Sequence, residues 1–537
     1  MVPVLIVGGG PVGLALAGDL AWRGIPSTLL ERSDGSIYQP RMDMVGIRTM
    51  EHARRWGIVP DVETSPYPRD YPQDNVYLTS LSGWELGRER MPSMGEDKPP
   101  PASPQKRERC PQDMFDPILR RWVERQGRTT LRYRTELLAL RREPDRVVAE
   151  VFDHETRRAE SIAARFVVGC DGAGSTVREL LGIEMLGTPV LTHTTNVIFR
   201  DPDLVKRHDK GRAYRHIFVG TEGTWATIVA INGADRWRMS IVRTPRGGLS
   251  DDEVRAAIVR AAGFEFPFEV LSVTHWTRRE LVAERYGDGR VFIAGDAAHV
   301  MSPTGGFGMN TGIGDAVDVS WKLEALLNGW GGPQLAASYT AERRPVAERN
   351  VRESSANLAR MLSPGHNPAL CDDTPEGAAT RARVGAEFSA AMRHEWYTLG
   401  LHLGYTYASS PVICGEAAEP PVQENARYVP TTYPGSRAPH VWLDRGRSTL
   451  DLFGRGFVLV RTDPTHDARA FAGAAEARGV PFDTVLLDRD DVRERYERAL
   501  VLVRPDGHVA WRGDALPADP GAVLDRVRGA AEVTAGP

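Results

Sequence analysis

VPVLIVGGGPVGLALAGDL, residues 2–20, decides the fold of the N-terminal part of the chain. The apolar run Val4-Leu5-Ile6-Val7 is typical of a buried parallel strand, and the glycines after it indicate a tight turn. Apolar residues then recur at helical spacing over residues 13–23, and residues 27–30 predict a second strand. The stretch therefore predicts a βαβ unit, the opening of a parallel α/β domain.

A glycine pattern occupies the turn between the first strand and the helix. Gly8, Gly10 and Gly13 satisfy G-x-G-x-x-G, and the acidic Glu31 ends the next strand. Gly8 permits the tight turn, Gly10 lets a pyrophosphate approach the backbone, and Gly13 allows close helix packing. The helix N-terminus stabilises the anion, and Glu31 would accept hydrogen bonds from ribose hydroxyls. The pattern predicts a dinucleotide site without separating FAD from NAD; a glycine turn in an unrelated βαβ unit is the alternative.

A second motif, DGAGSTVR at residues 171–178, follows an apolar strand at residues 166–168. Considered alone, it is also explained by Ser175 capping a helix whose first turn contains Arg178. The motif therefore indicates a cofactor site only in combination with the other motifs of the chain.

The third motif is the most specific. RVFIAGDAAH, residues 290–299, is followed by PTGGFGMN, residues 303–310, and then by a long helix. The apolar strand places Asp296 at its C-terminal end, where a carboxylate can accept a hydrogen bond from a ribityl hydroxyl. Backbone N–H groups at the start of the helix would favour the negative charge of a reduced flavin. The motif therefore indicates a flavin site.

The rest of the chain suggests two further structural units. Residues 91–104 are rich in proline, glycine and charge, which predicts a mobile surface loop. Residues 190–276 contain several β-rich segments and predict an inserted sheet. A proline-rich linker at residues 416–439 precedes alternating strands and amphipathic helices, which predict a small α/β domain.

Composition excludes several classes of protein. The chain has 537 residues, 41% of them hydrophobic, and a formal net charge of −4, which gives no basic footprint for nucleic acid. No apolar run reaches the roughly 18 residues of a membrane span, and the N-terminus lacks a signal peptide, so we expect a cytoplasmic protein. The four cysteines have no C-x-x-C spacing, which predicts no disulfide framework, metal site or dithiol redox centre.

Together the three motifs, in this order, make the chain resemble the class A flavoprotein monooxygenases, the group of para-hydroxybenzoate hydroxylase and phenol hydroxylase. The resemblance covers nearly the whole chain. It is strongest to the long branch with phenol and 2,4-dichlorophenol hydroxylases and antibiotic-tailoring enzymes such as the rebeccamycin-pathway flavoenzyme. YTAERRPV at residues 339–346, LDLFGRG at 450–456 and VRPDGHVAW at 503–511 support that branch.

The resemblance implies a mixed α/β and β architecture. A Rossmann-like FAD-binding domain of the GR2 type is expected at residues 1–185 and 280–400, interrupted by a β-sheet substrate domain at residues 186–279. A linker at residues 401–439 would lead to a thioredoxin-like α/β domain at residues 440–537. Because that domain lacks C-x-x-C, packing or homodimer formation is its expected role rather than thioredoxin chemistry.

The resemblance also implies the chemistry. FAD would be reduced by NADPH or NADH and would react with O2 to a C4a-hydroperoxide, whose distal oxygen passes to an electron-rich ring. A second G-x-G-x-x-G unit is missing from the sequence, which fits a nicotinamide that binds transiently. The predicted cofactor contacts are Gly8, Gly10, Pro11, Val12, Gly13, Glu31, Arg32, Arg41, Gln112, Leu137, Asp171, Asp296, Gly306, Gly308, Met309 and Asn310.

Asp43 is the candidate catalytic base, because Arg41-Met42-Asp43 resembles the Arg-x-Asp near the phenol hydroxylase pocket. A base helps because a phenolate attacks the oxygen donor faster than a phenol does. A solvated loop carboxylate, or one paired with Arg41, is the structural alternative. For His299 we expect a structural hydrogen bond near the flavin. The candidate residues of the substrate pocket are His193, Tyr214, His216, Trp225, Trp237 and Pro303.

The expected substrate is a small phenolic or heteroaromatic compound. A same-fold flavin enzyme that modifies a large natural-product intermediate, and a flavin-binding scaffold without turnover, remain open alternatives. A flavin halogenase is disfavoured because W-x-W-x-I-P is missing, and a two-Rossmann Baeyer-Villiger enzyme is disfavoured by the single glycine fingerprint.

Overall fold

The computed structural model describes residues 1–531, and its N-terminal domain is built on an eight-stranded mixed sheet. The strand Val2–Val7 lies in the middle and pairs in parallel with Ser27–Leu30 and Arg158–Gly169. The predicted βαβ opening is thereby confirmed. From one edge the order is Gly287–Asp288, Val291–Ile293, Arg158–Gly169, Val2–Val7, Ser27–Leu30 and Thr129–Arg132, and Thr135–Arg142 with Val147–Asp153 forms a hairpin that extends Arg158–Gly169.

The first helix, Pro11–Trp22, is buried on almost every side. A helix that is apolar all round belongs in a core, and this one packs between the helices Gln112–Gln126 and Phe307–Leu327. The close approach depends on Gly18, since a Cβ there would lie 1.9 Å from the Trp122 ring. This packing holds the glycine turn at residues 8–13 against the sheet.

A second eight-stranded sheet stands beside the first domain. All neighbouring strands are antiparallel except for the parallel pair of Asn75–Leu78 and Arg215–Gly220. Two of its strands therefore come from the N-terminal segment rather than from residues 186–279. The order is His299–Val300, Glu269–Ala283, Met185–Arg200, Arg236–Val242, Gly223–Ala230, Arg215–Gly220, Asn75–Leu78 and Glu85–Glu89.

The two faces of this second sheet have different partners. One face packs its apolar side chains against the helix Asp251–Ala262. The other face packs partly against the helices Gln334–Met361 and Pro375–Trp396 and otherwise turns toward the first domain. Side chains alternate between these faces along each strand, so every second residue can reach the space between the domains.

The C-terminal domain is a four-stranded sheet with helices, in the thioredoxin-like arrangement that was predicted. Phe457–Arg461 pairs in parallel with Phe482–Leu486 and antiparallel with Leu500–Val503, which Val509–Gly513 extends. Residues 532–537 of the predicted domain lie outside the described residues. Its helices are Arg469–Glu476, Asp490–Tyr496 and Pro520–Val527.

Buried ion pairs join the C-terminal domain to the first one. Arg504 is fully buried and donates to Glu342 on the helix Gln334–Met361 and to Asp506. Lys322 donates 2.7 Å hydrogen bonds to the carboxylates of both Glu342 and Asp318. Charges taken out of water must be paired in this way, so the interface fixes one relative position of the two domains.

The predicted loop at residues 91–104 has no helix or strand, but it is not simply on the surface. Met94 and Ser103 are buried. The Ser103 hydroxyl donates a 2.6 Å hydrogen bond to Glu51, a carboxylate that also pairs with Arg437. Composition predicted the irregular backbone but not these anchors, which come from distant parts of the chain.

None of the helices within residues 1–531 is long and apolar enough to cross a membrane.

The remaining elements are short. The other helices are Ile47–Trp56, Val59–Glu63, Thr176–Leu180 and Leu399–Leu403, the 3-10 turns are Leu204–Arg207, Gly295–Ala297, Pro368–Cys371 and Thr449–Leu452, and the small strand pairs are Met44–Val45 with Glu108–Arg109 and Trp442–Asp444 with Arg447–Ser448.

Candidate active site

A different geometric feature explains why glycine occupies each of the three positions in the first turn. Gly8 has a φ of +109°, and a Cβ on it would lie 2.3 Å from the carbonyl oxygen of Cys170. A Cβ on Gly13 would lie 2.0 Å from the carbonyl oxygen of Gly8. Gly10 differs, because no heavy atom lies within 4 Å of its Cβ position. Gly8 and Gly13 thus serve close packing, whereas Gly10, beside Pro11 and Val12, borders open space that fits a pyrophosphate.

Glu31 lies at the end of the second strand, against the glycine turn. Its carboxylate accepts a 2.7 Å hydrogen bond from the Gly9 backbone N–H and a 2.8 Å bond from that of Ser33. These bonds hold the carboxylate beside the turn, where a ribose would lie. Arg32 is exposed next to it.

The second motif is braced internally and tied to the third. Ser175 caps its helix by accepting a 3.0 Å hydrogen bond from Arg178 N–H, and its hydroxyl donates to Asp171. The Arg178 guanidinium donates to the carbonyl of Ala297 at 3.3 Å. Burial raises the pKa of Asp171, and the Ser175 hydrogen bond opposes that rise. The helix-cap interpretation is confirmed, and the same residues position the flavin-site turn.

The third motif forms an open cradle. Asp296 follows the strand Val291–Ile293 and is exposed. Desolvation by the surrounding protein raises the pKa of the Asp296 carboxyl, while His299 and Arg41 act to lower it. Gly306, with a φ of +70°, starts the long helix, and the nearest atoms to a Cβ on Gly308 lie 3.8 and 4.0 Å away. A ribityl acceptor, free helix N–H groups and space for a flat ring fit a flavin.

Asn310 connects the flavin helix to the segment that carries Asp43. Its Oδ1 accepts 2.7 Å hydrogen bonds from Gly46 N–H and the Thr49 hydroxyl, and its Nδ2 donates to the Met44 carbonyl at 3.2 Å. Met309, the preceding residue, is half-buried. The start of the helix and residues 44–49 are therefore joined by three hydrogen bonds.

Two other predicted contacts, Arg41 and Gln112, meet each other. The Arg41 backbone N–H donates a 3.0 Å hydrogen bond to Gln112 Oε1, and Gln112 N–H donates to the Met42 carbonyl. Leu137 is buried in the core of the first domain, on the strand Thr135–Arg142. Arg41 and Gln112 thus lie next to the segment that carries Asp43, whereas Leu137 belongs to the hydrophobic core of the first domain.

Asp43 lies at the centre of a charged cluster. Its Oδ1 accepts a 2.9 Å hydrogen bond from Arg109, and its Oδ2 accepts from the Tyr214 hydroxyl at 2.6 Å and from Arg238 at 3.0 Å. Arg109 stacks 3.4 Å from the centre of the Tyr214 ring. Arg41 is not among its partners. The carboxylate is thus held between the first domain and the second sheet.

The cluster sets the protonation of its members. Burial raises the pKa of the Asp43 carboxyl, but Arg109, Arg238 and the Tyr214 hydrogen bond outweigh it, so the pKa lies below its ordinary value. Burial, against the opposing effect of Arg109, raises the pKa of Tyr214. Near neutral pH, Asp43 is therefore an anion and Tyr214 a neutral donor.

The predicted pocket residues separate into two groups. Tyr214 contacts Asp43, and Pro303 is exposed in the glycine loop. His216, Trp225 and Trp237 are buried on the opposite side of the sheet, and both tryptophans belong to the core formed with the helix Asp251–Ala262. His193 also points to that side, where it hydrogen-bonds the Thr277 hydroxyl at 3.2 Å. The structure does not bring these four residues to Asp43.

Sequence reasoning missed the arginines of the site. Arg109 and Arg238 donate to Asp43, Arg215 is near enough to help lower the pKa of Asp43, and Arg278 is near Arg215 and Arg238. A signal was present for one of them, because Arg236-Trp237-Arg238-Met239-Ser240 alternates polar and apolar residues along a strand. Such alternation predicts one polar face.

His299 makes the structural hydrogen bond that was expected. Its Nε2 lies 2.8 Å from Asp315 Oδ2, and both side chains are fully buried. Arg343 donates to the other oxygen of Asp315 at 2.7 Å, and Gly295 N–H donates to the first at 3.1 Å. The buried Asp315, His299 and Arg343 side chains thus stabilise the turn that carries Asp296, through the Gly295 N–H.

Residues 1–354 match the FAD binding domain family, and residues 431–531 match the family described as aromatic-ring hydroxylase, C-terminal. The chain belongs to the FAD-dependent aromatic hydroxylases. FAD-dependent monooxygenase apdD of Emericella nidulans is 32% identical over 96% of this chain and 88% of its own length. 2,4-Dichlorophenol 6-monooxygenase of Delftia acidovorans is 31% identical, with 95% and 94% covered.

The structure of the rebeccamycin biosynthetic enzyme RebC with reduced flavin matches at a TM-score of 0.92, with 40% identity and 99% of each chain covered. These matches confirm the predicted fold class and family. As an FAD-dependent aromatic hydroxylase, the chain is a monooxygenase that uses FAD, with NAD(P)H as reductant and O2 as co-substrate.

Proposed function

We propose that this hydroxylase inserts oxygen into a phenolic ring held between the second sheet and the flavin cradle, with Asp43 as the proton acceptor. The observation that carries the proposal is the Asp43 cluster. Asp43 adjoins Met44, whose carbonyl is bonded by Asn310 at the start of the flavin helix. The same carboxylate accepts from Tyr214 and Arg238 of the second sheet.

The cofactor residues hold and orient FAD in this proposal. Gly10 and the first helix N-terminus face the pyrophosphate, Glu31 the ribose, and Asp296 the ribityl chain. FAD held by these residues would supply the redox chemistry with NAD(P)H and O2. The N–H groups after Gly306 favour negative charge on the ring system.

Asp43 acts on the substrate proton. Its lowered pKa keeps it ionised, so it can accept a hydrogen bond and then the proton from a phenol hydroxyl. That low pKa also makes it a weak base, but the positive charges of Arg109 and Arg238 favour the phenolate that forms. The neutral Tyr214 hydroxyl keeps the carboxylate oriented.

The test is consumption of NAD(P)H and O2 by FAD-loaded protein with a panel of phenols and hydroxylated polycyclic or heteroaromatic compounds. Oxidation stimulated by one compound, with a product heavier by one oxygen atom, supports the proposal. Bound FAD with no hydroxylated product from any compound contradicts it.

A large natural-product intermediate is the second candidate substrate. The 40% identity to RebC, a rebeccamycin biosynthetic enzyme, over 99% of the chain favours it. Polycyclic members of the panel distinguish the two candidates, because a pocket shaped for a large ring system gives a much higher kcat/KM with them than with monocyclic phenols.

A further inference from the structure

Arg278 is a buried cation without an anionic partner. Its side chain is on the second sheet and the residue is 5% exposed. Nε donates a 3.0 Å hydrogen bond to the Thr194 hydroxyl, and Nη1 donates a 3.1 Å bond to the Ser302 hydroxyl. Among the described residues 1–531, no carboxylate oxygen lies within 4.0 Å of the Arg278 guanidinium nitrogens, the distance that defines an ion pair. Its direct hydrogen-bond partners are therefore both neutral hydroxyls.

The neighbouring arginines are different, because each has a carboxylate. Arg238 donates to Asp43 at 3.0 Å, and Arg215 donates to Glu395 at 2.9 Å. Both lie opposite Val229 in the sheet register and so share its face. Arg109 also pairs with Asp43, so with Arg278 four guanidiniums lie near two carboxylates and the cluster has an excess of positive charge. Burial lowers the pKa of Arg278 to about 10, with Arg215 acting in the same direction and Glu395 opposing it.

Arg278 lies where the second sheet meets the flavin cradle. Thr194 belongs to the strand Met185–Arg200, whereas Ser302 belongs to the loop just before the flavin helix. Glu395 reaches the same loop, since its Oε1 accepts a 3.1 Å hydrogen bond from Gly305 N–H. The indole N–H of Trp276, two residues along the same strand, is buried without a partner. Arg278 and the unpartnered indole N–H of Trp276 thus lie beside the loop that precedes the flavin helix.

An unpaired buried charge is strongly unfavourable, and a bound anion removes the penalty. Two of the five guanidinium N–H groups are in use, and the end of the fork formed by Nη1 and Nη2 remains able to bind two oxygens of a planar anion.

We propose that Arg278 binds a carboxylate of the aromatic substrate, so that the enzyme selects phenolic acids over neutral phenols. The inference rests on the proposed function, because it places the substrate ring between Asp43 and the flavin cradle. A phenolate oxygen has the same anionic chemistry and is distinguished by the test. A negatively charged reduced flavin is the other possible counterion, and it predicts a different result.

The first experiment needs only the wild-type, FAD-loaded protein. Matched pairs of hydroxyaryl acids and their carboxamides have the same shape and the same phenol group, but only the acids are anionic at neutral pH. Binding is measured from perturbation of the flavin absorbance spectrum, independently of turnover. We expect at least one acid to bind about 10- to 100-fold more tightly than its amide. Equal affinity within every pair, or no binding by any acid, overturns the inference.

The second experiment compares Arg278→Gln with Arg279→Gln. Arg279 is the next residue on the strand and is exposed, so the control removes the same charge from the other face. We expect Arg278→Gln to abolish the preference for the acid and leave the affinity for the amide unchanged, while Arg279→Gln preserves both. Equal weakening of acid and amide, with a shifted flavin spectrum, would assign the charge to the flavin and overturn the inference. Equal weakening without that shift would assign Arg278 to the phenolate and also overturn it.

The failure of this inference is separable from failure of the proposed function. Neutral phenols hydroxylated as well as their acid partners contradict the inference and leave the function intact. Acids that bind through Arg278 and stimulate NAD(P)H oxidation without any oxygen incorporation contradict the function and leave the binding site intact.

Discussion

The Tyr214 hydroxyl donates a 2.6 Å hydrogen bond to Asp43, although 171 residues separate them in the chain. The bond joins the second sheet to the segment clamped by Asn310 at the start of the flavin helix. In the proposed function, this carboxylate accepts the proton of a phenol held between the sheet and the flavin cradle.

Replacing Asp43 by asparagine is expected to lower kcat/KM for hydroxylation by about 10²- to 10⁴-fold, the usual contribution of a general base. The variant keeps an oxygen for the Tyr214 hydroxyl but cannot take up a proton. Product formation and NAD(P)H oxidation are measured together. The control is Asp209→Asn, a surface carboxylate that is 82% exposed. An Asp43→Asn variant with unchanged kcat/KM, or with reduced flavin content as its only defect, contradicts the assignment.

Two glycines of the first turn should respond oppositely to alanine. A methyl group on Gly10 meets no protein atom within 4 Å but enters the space assigned to the pyrophosphate. We expect Gly10→Ala to weaken FAD binding about tenfold or more while the flavin-free protein unfolds as the wild type does. In Gly13→Ala the methyl group would overlap the Gly8 carbonyl, which should lower the free energy of unfolding by about 1–3 kcal/mol. Urea unfolding and FAD titration distinguish the two effects.

The domain interface should depend on Arg504. Arg504→Met leaves the buried carboxylates of Glu342 and Asp506 without this partner. Breaking a buried pair from one side costs about 3–5 kcal/mol, so we expect a loss of that order in the free energy of unfolding. Arg469→Met, at a position where the side chain is 92% exposed, should change it by less than about 0.5 kcal/mol. Similar stabilities of the two variants would show that the network contributes little.

His216 should make the fold sensitive to acid. Burial, with His208 and Arg88, lowers the pKa of His216 to about 3, against about 6.5 in the unfolded chain. Between these values the unfolded state binds the extra proton, so stability falls as the pH falls below about 6.5. At pH 5 the loss amounts to about 2 kcal/mol.

The corresponding measurement is the free energy of unfolding at pH 7.5 and at pH 5. In His216→Gln the difference between the two pH values should be smaller than in the wild type by about 2 kcal/mol. An unchanged difference would mean that His216 does not carry this acid sensitivity.

The cofactor half of the fold was predictable because its signals are local. The strand Val2–Val7, its glycine turn and the strand Ser27–Leu30 are written in consecutive residues. The same holds for Ser175, whose cap bond spans three residues. Short-range sterics and hydrogen bonding dictate such elements without reference to the rest of the chain.

The second sheet was only partly predictable, because part of its pairing is long-range. Asn75–Leu78 and Glu85–Glu89 join it through a parallel contact with Arg215–Gly220. Four residues of mixed polarity give no indication of a partner 140 positions away. Parallel pairing requires a long crossover, so turn signals cannot reveal it.

The substrate side of the candidate site was predictable only in part: Asp43 and Tyr214 were candidates from the sequence, whereas the arginines were missed. A shift of one residue along a strand reverses the face of a side chain, so β-rich composition could not tell that Trp225 and Trp237 face the core while Arg238 faces Asp43. The charges of Arg109, Asp43 and Arg238 meet only after three separate segments have packed. The alternation around Arg238 was the one local indication of a polar face.

The most direct test of the central claim is a single reaction under ¹⁸O2 with FAD-loaded protein, NAD(P)H and the phenolic compound that most stimulates oxidation. The account predicts a product with one ¹⁸O atom on the aromatic ring, and a large loss of that product in Asp43→Asn. NAD(P)H oxidation that yields only hydrogen peroxide, with no labelled product from wild-type protein, would contradict it.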